Sequence, residues 1–142
     1  MNQEERIKTI LKNSQLKHTK ARKMVLNEFL EAGNKALSSY EIEKKLPILD
    51  RITLYRTLKS FEEVGIIHHI VDISGKSKYA LCSDDCSTHQ HEDYHAHFFC
   101  KQCQKTICLD DVQIPALQLP QNYILEDKQL ALSGICGACK ED

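Results

Sequence analysis

The sequence predicts an α+β protein of two lobes, a helical lobe closed by a β-hairpin and a smaller mixed lobe stapled by metal. Three observations carry this expectation. Residues 1–80 hold 15 Lys/Arg against 10 Asp/Glu, whereas residues 81–142 hold 4 against 10, a change from +5 to −6 beneath a net charge of −1. All seven cysteines lie between Cys82 and Cys139, and six of the seven histidines lie between His68 and His97. Apolar residues recur at helical spacing as far as Gly65 and alternate beyond it. A chain of 142 residues buries one good core, or two small lobes that each need help. The boundaries are expected at 1–83 for the first lobe, 84–94 for a hinge and insert, and 95–142 for the second.

Ile7, Ile10 and Leu11 predict a short amphipathic helix over residues 3–12. Thr19 caps a second helix whose core face includes Ala21, Val25 and Phe29, flanked by Leu26 and Leu30, and Gly33-Asn34 ends it. Ser38 and Glu41 form a capping box for a short third helix with Ile42 and Leu46 inward, stopped by Pro47. Asp50 caps a fourth helix, RITLYRTLKSFEEVG, with Leu54, Leu58 and Phe61 as its apolar stripe and Gly65 as its close. A short helix, a turn and a longer helix make a helix-turn-helix. IIHHIVDI, GKS and KYALC then read as a hairpin with a basic tip, which completes a winged helix.

The fourth helix carries nucleic-acid chemistry. At 100° per residue, Arg56 lies about 200° from Leu54, on the face turned from the core. Arg51, Thr53, Tyr55 and Lys59 lie on that side or its flanks. Arginine bridges guanine O6 and N7 in the major groove, and Tyr or Thr reaches a phosphate or a thymine methyl. Lys17, Arg22, Lys76 and Lys78 are expected on the DNA backbone. The competing account is an ordinary solvated helix face.

The second lobe reads as metal chemistry. Cys100-x2-Cys103 and Cys136-x2-Cys139 are separated by 32 residues, each a chelating half, and four thiolates close a tetrahedral zinc site with no open position. Thioredoxin-like dithiols or unrelated buried thiols are the alternatives. Between the halves, KTICLDD, VQIPALQL and NYILEDKQLALSGIC are expected to form strands and a helix. The stretch HAHFFCKQC poses its own question, because it holds two histidines and two cysteines. On a strand, His95, His97 and Phe99 point one way while Ala96, Phe98 and Cys100 point the other. The histidines therefore belong to a second site, with Cys82, Cys108 and His68 or His69 as further donors. A Cys/His set is soft to borderline and suits Zn2+ over ions that prefer oxygen.

DRITLYRTLKSFEEVGII, HAHFFCKQC and the distal CGAC resemble the ferric uptake regulator superfamily, from LKHTKAR to Cys139. That resemblance implies a dimeric winged-helix repressor whose second lobe is a dimerisation domain. It implies binding to AT-rich inverted repeats of double-stranded DNA when a sensing metal fills the hinge. Tyr55 and Arg56 fall on the DNA-reading pair and Lys17 and Arg22 on backbone contacts. Cys100, Cys103, Cys136 and Cys139 fall on the structural zinc site. Iron-, manganese- and peroxide-sensing members place a histidine and two acids where this chain has Ala36, Ala80 and Cys108. Cys82 and His68 instead look like positions of zinc uptake regulators, whose usual acid is replaced by Cys108. The expected regulatory set is Cys82, His95, His97, Cys108 and His68, taking Zn2+, with Fe2+ or Mn2+ as alternatives. The insert CSDDCSTHQHEDY adds Cys86, His89 and His91 as an auxiliary set.

Other classes fit poorly. MNQEERIKTI is too polar for a signal peptide, and no apolar run approaches the roughly 20 residues of a membrane span, so a cytoplasmic chain without a membrane partner is expected. Seven cysteines in a reducing compartment are not a disulfide framework. A zinc deaminase needs a glutamate acid/base and an HxE…PCxxC pattern. Glu92 is the only glutamate between Cys82 and Cys108 and that pattern is absent, so neither an enzyme nor a small-molecule substrate is expected. A zinc-stapled protein-interaction module is the remaining alternative, and the DNA-type helix argues against it.

Overall fold

The computed structural model describes residues 2–81, 95–126 and 128–140. Four helices come first: α1 (Gln3–Asn13), α2 (Lys20–Ala32), α3 (Ser39–Lys45) and α4 (Arg51–Glu63). The caps expected from sequence form. Thr19 accepts from the Arg22 amide, Asp50 accepts from the Thr53 amide at 2.6 Å, and both halves of the Ser38/Glu41 capping box are made. Each satisfies a helix-end donor that has no intrahelical partner, a contribution of about 1 kcal/mol. Val25, Leu26, Phe29, Ile42, Leu54, Leu58 and Phe61 meet in one buried cluster, with Ile7 and Leu11 of α1 closing it.

The wing is the antiparallel hairpin of β1 (Ile67–Val71) and β2 (Ser77–Leu81), with His68 opposite Ala80 and Ile70 opposite Lys78. Gly75, at φ 82°, turns it. The second lobe is a three-stranded sheet of order β4-β3-β5, built from β3 (His95–Cys100), β4 (Thr106–Gln113) and β5 (Leu130–Gly134), followed by the short α5 (Gly137–Lys140). Strand β3 is antiparallel to β4 and parallel to β5. Among the described residues of this lobe, Ala96, Cys100 and Cys108 are the only buried apolar ones, and none of them is large.

The helix expected between the cysteine pairs does not form among the described residues. Val112 and Gln113 extend β4, and the chain from 114 to 126 is irregular. Pro115 and Pro120 explain this. Each lacks an amide hydrogen and biases the preceding residue, Ile114 or Leu119, away from helical backbone, leaving too few residues between them for a stable turn.

The segment 34–37 joins the lobes. Leu37 exchanges backbone hydrogen bonds with Tyr79 of the wing at 2.7 and 2.8 Å. On the other side the Ala36 amide donates to the Thr106 carbonyl at 2.8 Å, and the Cys108 amide to the Asn34 carbonyl at 2.9 Å.

Candidate metal centres and nucleic-acid face

The stretch from His95 to Cys103 serves two clusters. Cys100, Cys103, Cys136 and Cys139 gather at the end of the sheet, while His97 joins His68 and Cys108 at the junction of wing and sheet. Strand alternation is the cause, since His97 and Cys100 are an odd number of residues apart.

In the four-cysteine cluster, Cys100 Sγ lies 3.8 Å from Cys139 Sγ, and Cys103 Sγ lies 3.9 Å from Cys136 Sγ. A tetrahedral zinc with Zn–S of about 2.3 Å requires S···S edges of about 3.8 Å. The residues fit the ion. The Cys103 and Cys136 amides both donate to Cys100 Sγ at 3.4 Å, holding its thiol down at about 6. Hydrogen bonding to Cys136, together with burial and the other thiols, pushes Cys139 up to about 12. A cation at the centre favours the thiolate at every position.

The hinge cluster is smaller. His68 Nε2 lies 3.3 Å from His97 Nε2 and 3.8 Å from Cys108 Sγ. Tetrahedral zinc implies edges of about 3.3 Å between nitrogens and about 3.6 Å between nitrogen and sulfur. His97 and Cys108 are opposite one another on β3 and β4 and both are buried, whereas His68 comes from the wing. The donor set therefore spans the two lobes. His69 points to the other face of β1, against Ser77 and Tyr79. His95 opens β3, next to a register shift between His95 and Ala96, and its side chain lies outside the described residues. Cys82, Cys86, His89 and His91 also lie outside them.

On α4, Tyr55, Arg56, Lys59 and Arg51 are exposed and Thr53 is half-buried. Arg51 also pairs with Glu43 at 2.9 Å. Arg22 donates to the Lys17 carbonyl at 3.0 Å, bracing the lead-in to α2. Lys76 is exposed at the wing tip. Lys78 corrects the expectation that it serves the DNA backbone. Only 6% exposed, it ion-pairs with Asp72 at 2.9 Å and donates to Thr106 Oγ1 at 2.7 Å. The alternation of β2 turns it onto the second lobe, away from the wing surface.

Sequence reasoning also missed Ile52. It is 64% exposed and lies about 160° from Leu54, in the middle of the face that carries Arg56 and Lys59. The same helical angle that selected Arg56 would have found it.

A winged helix meeting a sheet at a His/Cys cluster, with a separate four-cysteine cluster, sets the chain beside metal-dependent transcription regulators. The model of the ferric uptake regulator family matches residues 13–134. A ferric uptake regulation protein of Staphylococcus epidermidis is 31% identical over 147 residues, covering 100% of this chain and 99% of the relative. One from Bordetella parapertussis is 29% identical over 140 residues, covering 92% and 94%. Among solved structures, a zinc uptake regulator complexed with zinc and DNA aligns with a TM-score of 0.66 at 21% identity, covering 96% of this chain and 92% of that one. The Vibrio cholerae ferric uptake regulator aligns at 0.57 and 26%, covering 90% and 98%. The chain belongs to the ferric uptake regulator family, and it is a regulator rather than an enzyme. No helix among the described residues is long and apolar enough to cross a membrane.

Proposed function

We propose that this protein is a zinc-responsive repressor that binds AT-rich inverted-repeat operators as a homodimer when its hinge site is loaded. One observation carries the metal assignment: two imidazoles and a thiol converge at edges that fit tetrahedral zinc. Fe2+ and Mn2+ sites draw on carboxylate oxygen, and the donor at β4 here is the Cys108 thiol. Cys82, one residue past β2, is the proposed fourth ligand, and His95 the other candidate. The metal supplies charge and a fixed geometry. What this chain contributes is the placement of His68 on the wing and of His97 and Cys108 on the sheet.

Arg56 and Tyr55 read base edges, with Ile52 between them and Arg51, Thr53 and Lys59 on the flanks. Lys17, Arg22 and Lys76 hold phosphates. The dimer reading is supported by β5, which ends the sheet as an unpaired edge among the described strands, and by exposed Leu117, Leu119, Tyr123, Ile124 and Leu125 nearby in sequence. The proposed domains are 1–83 for DNA, 84–94 for the hinge insert and 95–142 for dimerisation. The auxiliary role of Cys86, His89 and His91 is part of the same reading.

The test is a titration of operator binding with buffered free Zn2+, Fe2+ and Mn2+, using a duplex selected from a random library by the metal-loaded protein. Zinc should tighten binding at the lowest free concentration. Tightening by Fe2+ or Mn2+ at the same or a lower free concentration would overturn the zinc assignment.

A further inference from the structure

The interface between wing and sheet has a polar centre. Lys78 of β2 places its ammonium 2.9 Å from Asp72 Oδ2, 2.7 Å from Thr106 Oγ1 and 5.5 Å from the centre of the Phe99 ring. The Thr106 hydroxyl in turn donates to Asp72 Oδ2, and the Ser74 amide donates to Asp72 Oδ1 at 2.9 Å. Asp72, Lys78 and Thr106 are 5%, 6% and 0% exposed, so the charges are desolvated and each has partners. Asp72 and Lys78 belong to the wing, whereas Thr106 and Phe99 belong to the sheet. Among the described residues, Ala36, Ile70, Ala80 and Cys108 form the neighbouring apolar cluster.

This cluster is two residues from the hinge donors on both ladders. On the sheet, Phe99 opposite Thr106 is two steps along from His97 opposite Cys108. On the wing, Ile70 opposite Lys78 is two steps along from His68 opposite Ala80. Side chains two apart on a strand share a face. Whatever sets Lys78 against Thr106 therefore sets His68 against His97 and Cys108.

We infer that Asp72, Lys78 and Thr106 are positioning residues that fix the register in which the wing docks on the sheet, and that their charge keeps this docking near balance so that the metal decides it. The inference rests on the metal-regulator reading above. A buried ion pair is specific in geometry yet close to break-even against an apolar replacement, because desolvation offsets the attraction. Docking desolvates a pair already formed within the wing, and sets against that cost the Thr106 hydrogen bonds, the Phe99 ring and the backbone hydrogen bonds of segment 34–37, so it closes weakly by itself. A metal held only in the docked register then shifts the population by its differential affinity. A greasy interface in the same place would dock without it.

Two sets of variants move in opposite directions. Thr106→Val removes the hydroxyl that links the lobes and leaves Asp72 and Lys78 paired within the wing. It should weaken the second zinc, measured by chelator competition, by roughly tenfold, and reduce by a similar factor the ratio of DNA affinities with and without zinc. The first zinc and the melting of the helical lobe should be unchanged, and Thr106→Ser should restore the wild-type ratio. The triple variant Asp72→Leu/Lys78→Met/Thr106→Val should dock without metal, so that protein carrying only its structural zinc binds the operator within a few-fold of zinc-loaded wild type. Wild-type zinc affinity and DNA ratio in Thr106→Val would overturn the positioning role. A triple variant that folds but stays as dependent on zinc as wild type would overturn the balance argument. Wild-type protein that binds a single zinc, or DNA regardless of zinc, would instead fail the metal-regulator reading itself.

Discussion

Substituting Cys136 with Ser should strongly destabilise the second lobe while leaving the first intact, and the structure says why the effect is large. Fully burying one Leu, Ile or Phe contributes about 1.5–3 kcal/mol, yet the buried apolar residues described in this lobe are Ala96, Cys100 and Cys108. The helical lobe, in contrast, buries Phe29, Phe61, Leu54, Leu58 and their neighbours. On the zinc reading, much of the sheet's stability comes from the four-cysteine site, because structural zinc sites contribute about 10–16 kcal/mol of apparent binding free energy. Cys136 contributes a thiol 3.9 Å from Cys103 Sγ and an amide to Cys100 Sγ at 3.4 Å. If loss of one ligand in four forfeits a quarter of the zinc free energy, about 2.5–4 kcal/mol disappears, against a total native stability of about 5–15 kcal/mol. Amide hydrogen exchange reads the two lobes separately. Protection should fall over β3, β4 and β5 and persist in α2 and α4, and a chelator should strip the metal of this site far more readily than in wild type. Wild-type protection in β3–β5 of the Cys136→Ser protein would refute the reasoning.

The remaining expectations concern DNA and acid. Arg56→Ala should cost about 1–3 kcal/mol on the selected operator and flatten base preference, whereas Lys76→Ala should chiefly lower the salt slope by about one unit; equal affinity of wild type and Arg56→Ala removes the recognition-helix assignment. Ile52, 64% exposed in the middle of the same face, is suited to thymine methyl groups. Replacing operator thymines one at a time by uracil should weaken wild type at one position and leave Ile52→Ala indifferent there, and the same sensitivity in both proteins would exclude that contact. Burial pushes the Asp72 carboxyl up, but hydrogen bonds from Ser74, Thr106 and Lys78 and the Lys78 charge outweigh it and hold it at about 2, below the ordinary 3.8. A depressed carboxyl stabilises the fold above its unfolded pKa and loses that contribution as pH falls. About 2 kcal/mol should therefore be lost between roughly pH 4 and pH 2. Asp72→Asn should show a shallower decline of stability across that window, and an equal slope would contradict the assignment.

Local chemistry made the first lobe legible without coordinates. Thr19, Ser38 and Asp50 cap their helices because the signal and its partner lie within three residues, and Leu54, Leu58 and Phe61 face inward because helical spacing leaves them no other direction. The separation of His97 from Cys100 likewise follows from strand alternation alone. Reading failed where proline overruled apolar content: the segment around Pro115 and Pro120 has helix-like side chains but not the backbone to use them. Where two distant segments had to meet, the answer belonged to tertiary structure. Lys78 reads in sequence as one more basic wing residue, and only the approach of β4, 28 positions further on, turns it into the buried partner of Thr106. That His68 rather than His69 joins His97 and Cys108 was decided in the same way. A pleated strand offers each neighbour to opposite faces, and which face is covered depends on what the rest of the chain packs against it.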